Sequence, residues 1–247
     1  MNLKSLKIFL TVILIYVILF EFIFPSSKIF PSFSVIWLST VELFDKYNFL
    51  MNLISTLSAV YISILVNYLL IKILFHYFQK YQSDQMSNSY DSNVFSFLTF
   101  IPFFLISVIF VLWLPEFILT KYIVAVLVFF PFTLNELLTQ KGNDSSEYFD
   151  FYKSLGLKES TITNKILFKL KEPEYFYSQL KNHSLIWSVV LIVEYLQQQE
   201  GIGNILTIAL RYQDISITFT ITIIISLTIY FLHFGFRKLY NKIYFWK

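Results

Sequence analysis

The sequence predicts an all-α fold, a polytopic transmembrane bundle of about six spans occupying residues 1–247 as a single domain, and three observations predict it. Hydrophobic residues make up 56% of the chain and charged residues only 14%, with a mean hydropathy of +0.63; a soluble domain carries roughly 25% charged residues. Apolar runs recur along the chain, several of them near the ~20 residues that a helix needs to cross a bilayer. Lys and Arg gather in alternate connections, as they do where one side of the membrane is the cytoplasm. The 29 Phe and 17 Tyr fit the same reading, because rings pack against lipid and the tyrosine hydroxyl sits at the interface.

The first span runs from Ile8 to Phe24, after Lys4 and Lys7. Phe24-Pro25-Ser26-Ser27 lacks the small-residue pattern of a cleavage site, so the segment reads as a retained anchor rather than a signal peptide. The second runs from Leu50 to Phe78, the third from Phe95 to Leu114 and the fourth from Phe117 to Leu138, with a tight turn at Leu114-Pro115-Glu116. A short fifth span covers Leu185 to Leu196, and the sixth covers Ile215 to Phe236. An even number of spans puts three basic groups on one side: Lys4 and Lys7; Lys141, Lys153, Lys158, Lys165, Lys169, Lys171 and Lys181; and Arg237, Lys238, Lys242 and Lys247. The opposite side holds only Lys28, Lys46, Lys121 and Arg211. Both termini and the loop after span four are therefore expected in the cytoplasm, in the cell's inner (cytoplasmic) membrane.

That loop, about residues 140–183, is the one sizeable polar insertion, and loops of this length usually have structure or function of their own. Ser145 or Ser146 is expected to cap a helix from Glu147 to Leu155, with Gly156 ending it in a left-handed conformation. A second helix is expected after Thr161 or Thr163, with Ile166, Leu167 and Leu170 on its apolar face and Pro173 punctuating it. Two short amphipathic helices form either a docking surface for a soluble partner or a plain solvated loop.

Much chemistry is excluded. The chain has no cysteine, so it holds no disulfide or thiolate metal site. Its three histidines, His76, His183 and His233, lie far apart. His-Glu-x-x-His, Gly-x-Ser-x-Gly and a phosphate-binding P-loop are all missing. Gly201-Ile202-Gly203 follows a span and not a strand, so it is no nucleotide loop. A net charge of +3 is too small to indicate nucleic acid. A membrane-embedded transferase is disfavoured by the shortage of intramembrane His, Asp and Arg. The chain is not expected to be an enzyme.

Several motifs occur in a fixed order. Phe30-Pro31-Ser32-Phe33-Ser34-Val35-Ile36-Trp37 precedes the second span. Pro102, Trp113, Lys121, Phe129-Phe130-Pro131 and Asn135 follow in spans three and four. Asp150-Phe151-Tyr152, Gly156 and Ile166-Leu167-Phe168-Lys169 lie in the loop. Trp187, Glu194 and Gly201-Ile202-Gly203 follow at seven-residue intervals. Between Phe30 and Trp246 this ordered set resembles the permease subunits of binding-protein-dependent ABC importers, most closely the nitrate, sulfonate and taurine group. In that family the loop motif is Glu-Ala-Ala, three residues, Gly, nine residues, then Ile-x-Leu-Pro. Here Asp replaces Glu, Phe and Tyr replace the alanines, Phe168-Lys169 replaces Leu-Pro, and Ser58 and Ile62 stand for the usual Arg and Gly of span two.

The resemblance implies a permease that forms the path for a small solute. A coupling helix carrying Asp150, Phe151, Tyr152, Gly156 and Ile166 would lodge in a cleft of a separate ABC ATPase subunit. It further implies a homodimer, an extracytoplasmic substrate-binding protein, and no cofactor of the chain's own, ATP being bound by the partner. The eroded motif keeps a second reading open: a permease-like scaffold without transport. Asn135, Trp187 and Glu194 are candidates for the translocation path. Glu194 equally fits a pairing or interfacial role near the outer leaflet, and Asn135 an interhelical hydrogen bond. Pro131 reads as a helix kink, and Trp37, Trp113 and Trp246 as interface anchors.

Overall fold

The computed structural model describes residues 3–24, 30–86, 101–139 and 144–246, and among these no strand occurs. The chain opens with α1 (Leu3–Val17), which widens into a π-type stretch (Ile18–Ile23). Next comes α2 (Phe33–Lys46), begun by Ser32, whose Oγ accepts the Val35 N–H at 3.5 Å. Asn48 adopts a left-handed conformation (φ 47°), which turns the chain into α3 (Phe49–Met86). Then follow α4 (Phe103–Trp113) and α5 (Thr120–Thr139). The long loop forms α6 (Asp144–Ser154), a single turn α7 (Glu159–Thr161) that widens into a second π-type stretch (Ile162–Leu167), and α8 (Phe168–Lys181). The chain finishes with α9 (His183–Gln197), α10 (Ile202–Arg211) and α11 (Ile215–Ile243), the last capped by Asp214 accepting the Ile217 N–H at 3.0 Å.

The fold is the helical membrane bundle that the hydropathy predicts. The six expected spans fall on α1 with its π-type extension, α3, α4, α5, α9 and α11; residues 95–100 of the third lie outside the described residues. Among the described residues three segments are long and apolar enough to cross a membrane: Phe49–Phe75, Thr120–Leu137 and Ile215–Ile243. The helices α4 and α9 are shorter. Outside the loop, two described helices carry no span signal. One is α2, which packs on α11, and the other is α10, which folds back over α9.

Polar links give the bundle two distinguishable poles. At the first, Gln197 at the end of α9 donates to Val111 O (3.2 Å) at the end of α4, and Asn52 at the start of α3 accepts the Gly201 N–H (2.8 Å). At the opposite pole, Ile71 and Phe75 of α3 and Leu137 of α5 form a second small core with Ile162, Leu167, Phe168 and Tyr175 of the loop. The end of α11 reaches this pole too, where Tyr244 packs on Phe176 at 5.7 Å. The loop and the end of α11 therefore share a pole. Between the poles Asn67 Nδ2 donates to Thr133 Oγ1 at 3.1 Å, both side chains fully buried, tying α3 to α5. Such pairs satisfy amide and hydroxyl groups that lipid cannot.

Three local expectations are corrected. Ser145 and Ser146 lie within α6 rather than before it. Thr161 and Thr163 do not cap the second loop helix, which begins at Glu159 after Lys158; the Thr163 hydroxyl instead donates back to Glu159 O at 3.0 Å. Pro173 does not end that helix but sits buried inside α8, which continues to Lys181. Packing of Phe168 and Tyr175 into the second core outweighs the lost backbone bond.

Candidate functional site

The loop presents a fixed, exposed apolar corner. Helix α6 ends in a paired cap: the Gly156 N–H bonds to Lys153 O at 3.0 Å and the Leu157 N–H to Tyr152 O at 3.4 Å. This Schellman arrangement requires a left-handed residue at its turn, and Gly156 supplies it with φ +78°. Around the turn Phe151 is 57% exposed, Leu155 62% and Leu157 39%. Asp150 and Gly156 are also exposed, whereas Tyr152 and Ile166 are half-buried. Phe151 and Tyr152 therefore face differently: Phe151 stands outward while Tyr152 packs toward the second core. Leu155 and Leu157 belong to this corner although no motif marks them; their signal is two leucines flanking the glycine. Lys153 Nζ meets Glu159 Oε1 at 2.9 Å across the turn.

A Cβ on Gly156 meets nothing within 4 Å. Gly156→Ala is thus expected to cost only left-handed backbone strain, on the order of 1–2 kcal/mol, read as faster amide exchange in α6 with no change in the bundle's unfolding midpoint.

The corner is braced to the bundle. Lys171 Nζ donates to Leu137 O at 3.3 Å, capping the end of α5, and burial lowers the pKa of its ammonium. Tyr68 Oη of α3 donates to Glu172 Oε1 at 2.7 Å. Glu136 of α5 accepts from the Ser178 hydroxyl, from Asn182 Nδ2 at 2.9 Å and from Lys181 Nζ at 3.3 Å, gathering the junction of α8 and α9. These bonds tie α8 and its junction with α9 to α3 and α5. The links of Glu136 and Glu172 to the bundle had no signal in the sequence, because the partners that make them lie on other helices.

The expected path residues divide. Asn135 is half-buried near the end of α5. Trp187 and Glu194 have no accessible surface at all, being enclosed where α9 meets α3, α5 and α10. A side chain without accessible surface does not line a path in this conformation. Trp187 Nε1 donates to His183 Nε2 at 3.3 Å. Glu194 pairs with Lys121, Nζ to Oε1 3.0 Å, the two side chains 0% and 3% exposed. Its Oε2 accepts from Thr56 Oγ1 (2.8 Å) and from the Gly203 N–H (3.2 Å) at the start of α10. Lys121 also donates to Ser55 Oγ (2.6 Å) and Glu200 O (2.5 Å), so its three ammonium protons are all used.

Comparison with protein-family models matches residues 92–243 to the family of binding-protein-dependent transport system inner membrane components. The chain belongs to this family. The match covers more than half of the chain and includes the loop, the buried ion pair and α11. Comparison with curated proteins and with solved structures finds no match. The permease is thus a multi-pass membrane component of an ABC transporter, a role that is not itself catalytic. Among the described residues no group of three or more His, Asp or Glu is placed to hold a metal ion.

Proposed function

We propose that this permease, acting over residues 1–247 as one domain, forms the translocation path for a small solute in an ATP-driven importer. It couples to a separate ABC ATPase through the loop at about residues 140–183. The observation that carries this reading is the exposed apolar corner of Phe151, Leu155 and Leu157 around Gly156. Clustered apolar exposure on a rigid polar loop is what a docking partner covers. Asp150 flanks the corner, and Tyr152 and Ile166 back it from the second core. A partner's movement reaches the spans through Glu136, Lys171 and Glu172, giving rigid-body alternating access.

The subunit works as a homodimer with two ATPase chains, which bind the ATP, and an extracytoplasmic binding protein supplies the solute. Both termini and the loop face the cytoplasm of an inner-membrane protein, in line with the basic residues at that pole. The motif spacing favours the nitrate, sulfonate and taurine branch. Asn135 is the path candidate we retain, while Trp187 and Glu194 hold the bundle together.

The test is co-purification. Affinity-tagged permease is expected to bring down an ATPase chain, and Phe151→Asp with Leu155→Asp is expected to lose it at least tenfold at unchanged membrane level. A wild-type permease that recovers no ATPase would overturn the coupling reading in favour of the scaffold without transport.

A further inference from the structure

Between α3, the α8–α9 junction and the last turns of α11 lies a cavity of about 200 Å³, far above the ~10–15 Å³ that one water needs. Its wall is almost wholly apolar, built from residues such as Tyr61, Ile64, Phe176, Phe236, Leu239 and Tyr240. Phe236 and Leu239 are 37% and 53% exposed, so the cavity opens sideways, out of the bundle, at the loop pole. Two polar side chains also line it. Gln179 is 6% exposed and His183 3%. Neither the Gln179 carboxamide nor His183 Nδ1 has a hydrogen-bond partner among the described residues. His183 Nε2 accepts from Trp187 Nε1, which leaves Nδ1 as the protonated nitrogen and a donor. These atoms have almost no accessible surface, so the wall that a ligand meets in the cleft is apolar.

The rim is basic. Phe236, Leu239, Tyr240, Ile243 and Tyr244 form one stripe of α11. At about 100° per residue Arg237 falls on one flank of that stripe and Lys242 on the other; both are exposed. We propose that this cleft holds one acyl chain of an anionic phospholipid, with Arg237 and Lys242 at its rim drawing the phosphate. Basic residues at the membrane surface select anionic head groups in this way. A second copy of the chain is the poorer occupant, because a two-fold contact would bring the same two cations to the same edge.

Native mass spectrometry of the detergent-purified full chain tests this, with phosphatidylglycerol and phosphatidylcholine of matched acyl chains as probes. Phosphatidylglycerol adducts are expected to exceed phosphatidylcholine adducts by roughly tenfold or more. Leu239→Trp, which fills the cleft from a half-exposed position, is expected to deplete adducts of both lipids. Arg237→Gln with Lys242→Gln is expected to bring phosphatidylglycerol down to the phosphatidylcholine level. Equal adducts of the two lipids on the wild-type chain overturn the proposal, and so does a Leu239→Trp chain that retains phosphatidylglycerol. The chain has no native cysteine, so efficient disulfide dimers of Ile243→Cys in the membrane would reassign the face to a subunit interface. The readout needs no ATPase, so its failure and that of the coupling reading are separately visible.

Discussion

Replacing Lys121 by methionine should be among the most damaging single changes in this permease, and replacing Glu194 by glutamine should rival it. The pair is enclosed, 3.0 Å apart with almost no accessible surface on either side. Removing one partner leaves the other buried without a counter-charge, a change that costs about 3–5 kcal/mol in well-enclosed pairs. Lys121→Met strands the Glu194 carboxylate with two donors, Thr56 and the Gly203 N–H. Glu194→Gln strands an ammonium whose remaining acceptors are Ser55 Oγ and Glu200 O. The double variant should recover much of the loss, since neither charge then remains to be buried. Unfolding midpoints of the detergent-solubilised protein, arranged as a double-mutant cycle, give the coupling directly. Single variants that both unfold where the wild type does would mean that water reaches the pair. Lys46→Met is the control: its bond to Glu42, 2.7 Å long, lies at the surface, and its loss should leave the midpoint in place.

This pair also shows where reading the sequence stops. The seven-residue spacing of Trp187, Glu194 and Gly201 is plain in the sequence, and so is the burial of a carboxylate in an apolar helix. What Glu194 does there depends on Lys121, 73 residues away, and on Thr56, 138 residues away, and no local pattern reports such partners. The helical membrane bundle was legible because hydropathy integrates over a whole helix, as in Phe49–Phe75, Thr120–Leu137 and Ile215–Ile243. Neither α2 nor α10 was, because polar residues interrupt their apolar runs, among them Ser39, Thr40, Glu42 and Asp45 in α2 and Asn204, Thr207 and Arg211 in α10. Gly156 was legible as a helix stop because a left-handed turn leaves few residue choices. Pro173 was misread for the opposite reason: a local breaker was overruled by burial of its neighbours in a core assembled from α3, α5 and the loop.

The glycines beside Glu194 carry the other large expected effect, and they act by different routes. A Cβ at Gly203 would lie 2.5 Å from Leu191 O and 2.6 Å from both Glu194 Cβ and Tyr195 N. Backbone cannot step aside as a side chain can, so Gly203→Ala must push α10 away from α9. It thereby breaks the 3.2 Å bond from the Gly203 N–H to Glu194. Overpacking of about 1–3 kcal/mol and a lost hydrogen bond to a charged group, about 1.5–3 kcal/mol, act together here. At Gly201 the obstacle is the carboxylate itself, with Glu194 Cδ 2.0 Å from the added carbon, on a backbone of φ +149°. Removing the carboxylate should therefore relieve the clash of one substitution and not that of the other. Measured as unfolding midpoints, Gly201→Ala should cost clearly less in a Glu194→Ala background than in the wild type. Gly203→Ala should keep its overpacking cost of about 1–3 kcal/mol in either, because Leu191 O stays where it is, and should shed only the hydrogen-bond part where Glu194 is alanine. Equal penalties for Gly201→Ala in both backgrounds would show that the Glu194 carboxylate does not occupy the space beneath the turn, and would detach the glycine pattern from the ion pair.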